Sequence, residues 1–104
     1  MFYLARARRE PLSQPYVIWH KDGDSPLYVF VPNTGRFHLN HALTTDFFFD
    51  QEVHDFEPIA PERAARHVAD GTGHIDERTN GWIVEEYRAD PSPIDPAQIL
   101  PDDS

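Results

Sequence analysis

Ten prolines in 104 residues constrain this chain more than any other feature. Proline brings no N–H to a helix interior or a central strand, so the chain must fold as short elements with many breaks. Between the breaks, hydrophobic periodicity separates strands from helices. Phe2 and Leu4 alternate with Tyr3 and Ala5, which predicts a strand ending before Pro11, although Leu, Ala and Arg would also suit a short helix. Tyr16–His20 and Leu27–Val31 are rich in β-branched and aromatic residues that fit a pleated surface. Lys21–Pro26 and Pro32–Gly35 are turn chemistry, so these strands and Arg36–Leu39 read as an antiparallel meander.

The helical signals come later. Asn40 is a plausible cap, and Leu39, Leu43 and Phe47 recur at helical spacing, predicting a short helix to about Phe49. Glu52–Ile59 suits a further strand, ended by Pro58 and Pro61. Pro61–Asp70 is the clearest helix, with proline in its first turn, Glu62 at the positive end of its dipole and Gly71 as a stop. Thr79–Arg88 has two readings. As a strand, Asn80-Gly81 turns a hairpin that pairs it with Ile75–Arg78; as a helix, Ile83 and Tyr87 stack one turn apart. Beyond Asp90, four prolines deny regular structure apart from one turn where Asp95 caps Pro96–Gln98. The sum is one α+β domain over residues 1–90, a small antiparallel sheet of three to five strands with one or two helices on one face. A Pro/Asp-rich tail, 91–104, completes it, with Ile94, Ile99 and Leu100 available to dock on the body.

Composition then removes several functions. The chain has no cysteine, which excludes disulfide scaffolds, thiolate metal sites and thiol catalysis and favours a cytoplasmic address. No apolar run approaches the roughly 18 residues of a membrane span, and at the N-terminus charge follows the apolar residues, the reverse of a signal peptide. Net charge is −9, which disfavours direct binding to nucleic acid or to an anionic membrane. That charge is unevenly held. Residues 1–45 sum to +2 and residues 46–104 to −11. Arg6, Arg8 and Arg9 form a local basic edge that could grip phosphate or pair with the acidic half.

No nucleophile elbow, P-loop, dinucleotide fingerprint or EF-hand loop is present, and no cofactor is implied. His38, His41 and His54, with carboxylates between them, are the candidate ligands for a divalent metal, although the zinc-protease helix motif is missing. The other unusual stretch is Asp46–Glu57, with five acidic residues, four phenylalanines and no Lys or Arg. Three consecutive aromatics cannot all face one way, so at least one of Phe47, Phe48 and Phe49 packs on a second element or is exposed to a partner. Asp46, Phe47, Phe48, Phe49, Asp50, Glu52, Asp55 and Phe56 are accordingly the candidate contact residues. The expected function is a non-enzymatic acidic interaction module, such as an inhibitor, antitoxin-like or immunity-like protein, engaging a basic protein. The alternatives are a small metal-dependent enzyme and a homo-oligomeric structural subunit. Six histidines would carry the charge from −9 to −3 on protonation, which predicts association that varies near pH 6.

Overall fold

A computed structural model describes residues 1–9, 14–50 and 53–101; the side chain of Asp50 also lies outside the description. Four strands follow one another as the turn chemistry predicts: β1 (Phe2–Ala7), β2 (Tyr16–His20), β3 (Leu27–Val31) and β4 (Arg36–Leu39). A short helix α1 (His41–Thr45) runs into a single π-helical turn, Asp46–Asp50, and β5 (His54–Ile59) then returns to pair with β1. The result is an open, five-stranded antiparallel sheet in the order β4-β3-β2-β1-β5. Helices α2 (Pro61–Ala69), α3 (Glu77–Arg88) and α4 (Pro96–Ile99) complete the α+β fold. Among the described residues, no helix is long and apolar enough to cross a membrane.

Strand periodicity divides the apolar residues between two faces. Phe2, Leu4, Val17, Phe30, Phe37 and Ile59 form one buried cluster with Ala64 of α2, and Val68, Ile94, Ile99 and Leu100 pack against it. Ala5, Ile18, Leu27, Val29 and Val31 point the other way and are covered by Leu43 of α1, Phe47, Ile75 and Tyr87. Helical cover on one face was the expectation; the structure has it on both. The reason is in the strands themselves, because every residue from Leu27 to Val31 except Tyr28 is buried, and a strand buried on both faces needs two layers.

Thr79–Arg88 is helical. The hairpin alternative would have used the backbone of Ile75, but Asn33 has already bound it. The Asn33 side chain accepts from the Ile75 N–H (2.9 Å) and donates to its carbonyl (2.9 Å). Asp76 caps the helix by accepting from the Arg78 N–H, and the Asn80-Gly81 turn signal survives as a kink, with Asn80 at φ −131°, ψ 30°.

The two sheet edges are closed differently. At β4, the Phe37 N–H donates to the Ile94 carbonyl and the Ile94 N–H to the Phe37 carbonyl, both at 2.9 Å, so the segment after α3 covers that edge. At β5, Pro58 occupies a position where a central strand would need an N–H, and an edge strand is where proline is tolerated.

Candidate functional site

The strand alternation that buries Ile18 and Val29 also puts His20, His38 and His54 on that same sheet face, since His20 lies opposite Leu27, His38 opposite Val29, and His54 opposite Ala7. Each then finds a different partner. His38 is 2% exposed. Its Nδ1 lies 2.8 Å from Asp90 Oδ2 and its Nε2 lies 2.7 Å from Thr34 Oγ1, while the ring packs 5.0 Å from that of Tyr87. Burial opposes the charge on Asp90, but the Ser92 N–H and the His38 ring outweigh it and hold the carboxyl below its ordinary value. Burial pushes the Tyr87 phenol up, against a hydrogen bond from the Asn40 amide at 2.9 Å. Thr34, His38, Tyr87 and Asp90 line a cleft of about 510 Å³ with Asn33, Arg36, Arg88, Pro91 and Pro93 in its walls.

A folded value below the unfolded one means that Asp90 contributes stability above about pH 4, where the unfolded carboxyl is already ionised, and loses it as pH falls through the lower folded value. Asp90→Asn should therefore lower the urea midpoint at pH 7, and the difference from the native chain should narrow below about pH 4. An equal difference at pH 7 and pH 3 would show that the charge on Asp90 contributes nothing.

The acidic-aromatic stretch is organised by its first residue. Asp46 is 4% exposed, and its carboxylate accepts from the backbone N–H groups of Val53 (3.2 Å) and His54 (3.0 Å), with His54 Nδ1 at 3.3 Å. A buried carboxylate with these donors ties the start of β5 to the π-helical turn. The turn sorts the three phenylalanines. Phe47 points inward, with ring contacts to Tyr3, His20, Phe48 and Phe56 at 5.1–5.6 Å. Phe48 is 37% exposed and lies edge-on to His20, whereas Phe49 is 83% exposed and Val53 57%. The requirement that three consecutive aromatics diverge is thus met, with Phe47 and Phe56 as packing residues and Phe49 outside.

Other anticipated residues go elsewhere. Asp55 is paired with Arg8 at 2.6 Å and Glu57 with Arg63 at 3.3 Å, so part of the acidic half is neutralised within the chain. Glu52 and the Asp50 side chain lie outside the described residues. His41 is exposed at the start of α1, away from the separate carboxylate pairings of His38 and His54. Among the described residues, no three His, Asp or Glu side chains converge as a metal ion requires. Trp82 stands 64% exposed on α3. The Thr34–His38–Asp90 chain is not legible in the sequence, because its members are 4 and 52 positions apart and meet only through the β3–β4 turn and the segment after α3.

Compared with protein-family models, curated proteins and solved structures, the chain finds no match.

Proposed function

We propose that this protein is an acidic interaction module whose contact surface includes Phe48, Phe49 and Val53, and that its partner is a basic protein. The observation that carries the reading is Phe49, a phenylalanine left 83% exposed beside a neighbour, Phe47, that packs inward. Exposed single apolar residues are ordinary, but Phe48 is partly exposed in the same π-helical turn and Val53 is exposed just before β5, and an aromatic anchor with apolar neighbours is the usual centre of an interface. Net charge of −9 supplies the electrostatic preference for a basic partner.

A photoreactive amino acid at position 49 should crosslink a basic protein in source lysate, with a yield that falls as salt rises. Phe49→Ser should weaken binding of that protein about thirtyfold, the effect of losing an anchor worth about 2 kcal/mol, and leave the thermal midpoint unchanged. An acidic crosslinked protein, or equal binding by Phe49→Ser, would reject the reading. If the crosslinked species is a second copy of the chain, the patch belongs to a homo-oligomer, and light scattering of native chain and Phe49→Ser would show it.

A further inference from the structure

We propose that Thr34 is an activated acyl acceptor, and that the Thr34–His38–Asp90 chain hydrolyses small esters carrying an anionic group. This goes beyond the interaction reading and does not depend on it.

The inference starts from three groups in hydrogen-bonded series. Asp90, held in its ionised form, accepts the proton on His38 Nδ1, and this fixes the tautomer in which Nε2 carries the lone pair. That lone pair faces Thr34 Oγ1 at 2.7 Å. The hydroxyl proton has a second acceptor, the Val31 carbonyl at 3.1 Å, but the shorter contact is to the imidazole. A nucleophile within reach of a base that is oriented by a third group is the arrangement from which acyl transfer proceeds.

The surroundings favour the same chemistry. The Arg36 N–H donates to Thr34 Oγ1 at 3.2 Å and helps to hold that oxygen in place beside the imidazole. Thr34 sits in a turn that is fixed on both sides: Asn33 is bound to Ile75, and Gly35 takes φ 74°, a conformation that glycine adopts without strain. Thr34, His38 and Asp90 all contribute to the wall of the 510 Å³ cleft, and Thr34 is only half-buried. Two arginines, Arg36 and Arg88, share that wall. Arg88 is committed to Glu77 (3.1 Å) and Glu85 (2.8 Å), whereas Arg36 has no carboxylate partner among the described residues. An ester whose acyl part carries a carboxylate therefore has a cation to pair with.

In the first step, Thr34 Oγ1 forms a bond to the ester carbonyl carbon and its proton moves to His38 Nε2. The carbon–oxygen bond to the leaving group breaks, and the departing oxygen takes the bonding pair and the proton from His38. In the second step, water attacks the acyl-threonine, its proton passes to His38 and then to Thr34 Oγ1, and the carboxylic acid is released. No oxidant, reductant or further reactant is needed.

The test uses the full chain with two aryl esters, p-nitrophenyl acetate and mono-p-nitrophenyl succinate, the second bearing a carboxylate. Mass spectrometry of the quenched native chain should place the acyl group on Thr34. Thr34→Ala should lose about 100-fold or more in rate, while Thr34→Ser retains it within about tenfold. Asp90→Asn, a change at a positioning residue, should lower kcat by about 100-fold with KM unchanged and alter the pH dependence of kcat; a smaller folded fraction, read by circular dichroism at the assay temperature, would scale the rate without altering that pH dependence. Arg36→Gln should raise KM about tenfold for the succinate ester alone. Phe49→Ser should leave every one of these rates unchanged, so the interaction reading and this one fail separately. Acyl groups found only on other histidines, Lys21 or the N-terminus, or equal turnover by native chain and Thr34→Ala, would overturn the proposal. The location of the acyl group on the native chain decides it even if a variant fails to fold.

Discussion

Phe37→Ala should cost about 3–5 kcal/mol of stability, the range for removing a fully buried aromatic ring. Phe37 is 0% exposed and its ring lies 6.4 Å from that of Phe2 and 5.3 Å from that of Phe30, so truncation opens a hole among side chains of β1, β3 and β4 on one sheet face. The backbone adds to the effect. Phe37 also exchanges two hydrogen bonds with Ile94, and the loss of the ring weakens the platform on which that segment rests. Domains of ordinary stability have only about 5–15 kcal/mol in total, and a chain of this size belongs near the lower end. The variant should therefore show a urea midpoint reduced by about half or more with an unchanged slope. A midpoint within experimental error of the native chain would mean that the β4 face is not part of the core.

Asp46→Ala should cost about 2–4 kcal/mol, and its effect should be concentrated in one loop. Removing the carboxylate strands the N–H groups of Val53 and His54, and each unsatisfied buried donor costs about 1–3 kcal/mol. Val53 is itself 57% exposed, so water can reach its N–H and the cost there falls at the low end. Amide exchange at Val53 and His54 should accelerate well before exchange in β2 and β3 changes. Asp46→Asn keeps one acceptor oxygen and should show a smaller loss. The same substitution bears on the proposed contact surface, because the bonds from Asp46 to β5 hold the turn that sends Phe47 inward and Phe49 outward. Uniform exchange across the chain in Asp46→Ala would show that the loop is not organised by this residue.

Local signals in the sequence translated directly into structure where the physics is local. Asn40 and Asp95 cap as read, their side chains accepting from the Leu43 and Ala97 N–H groups at 2.9 Å. Gly71 ends α2 at φ 72°, and the turns at Lys21–Pro26 and Pro32–Gly35 produce the meander. Thr79–Arg88 was ambiguous because its Asn80-Gly81 pair suits a hairpin as well as a kinked helix. What excluded the hairpin was Asn33, more than forty positions away, binding the backbone that a hairpin would need.

The acidic-aromatic stretch shows the same division. Composition marked Asp46–Glu57 as unusual, and side-chain geometry required its phenylalanines to diverge. Which of them would be exposed depended on the Asp46 carboxylate reaching Val53 and His54, and on Tyr3 and Phe56 providing a place for Phe47. Charge behaved likewise. The −11 of the second half was countable from the sequence, but the pairing of Asp55 with Arg8 arises only because β5 lies beside β1.

The sequence by itself therefore determined that the elements would be short, the strand and helix periods of most of them, the caps and the sign of the charge, since each depends on residues within a few positions of one another or on composition alone. Tertiary structure decided that both sheet faces would be covered, that Phe49 would stand outside, and that Thr34, His38 and Asp90 would form one hydrogen-bonded chain. The physical reason is that a hydrogen bond between distant residues needs its partners within about 3 Å. Only strand order and the packing of the segment after α3 bring Asp90 that close to His38.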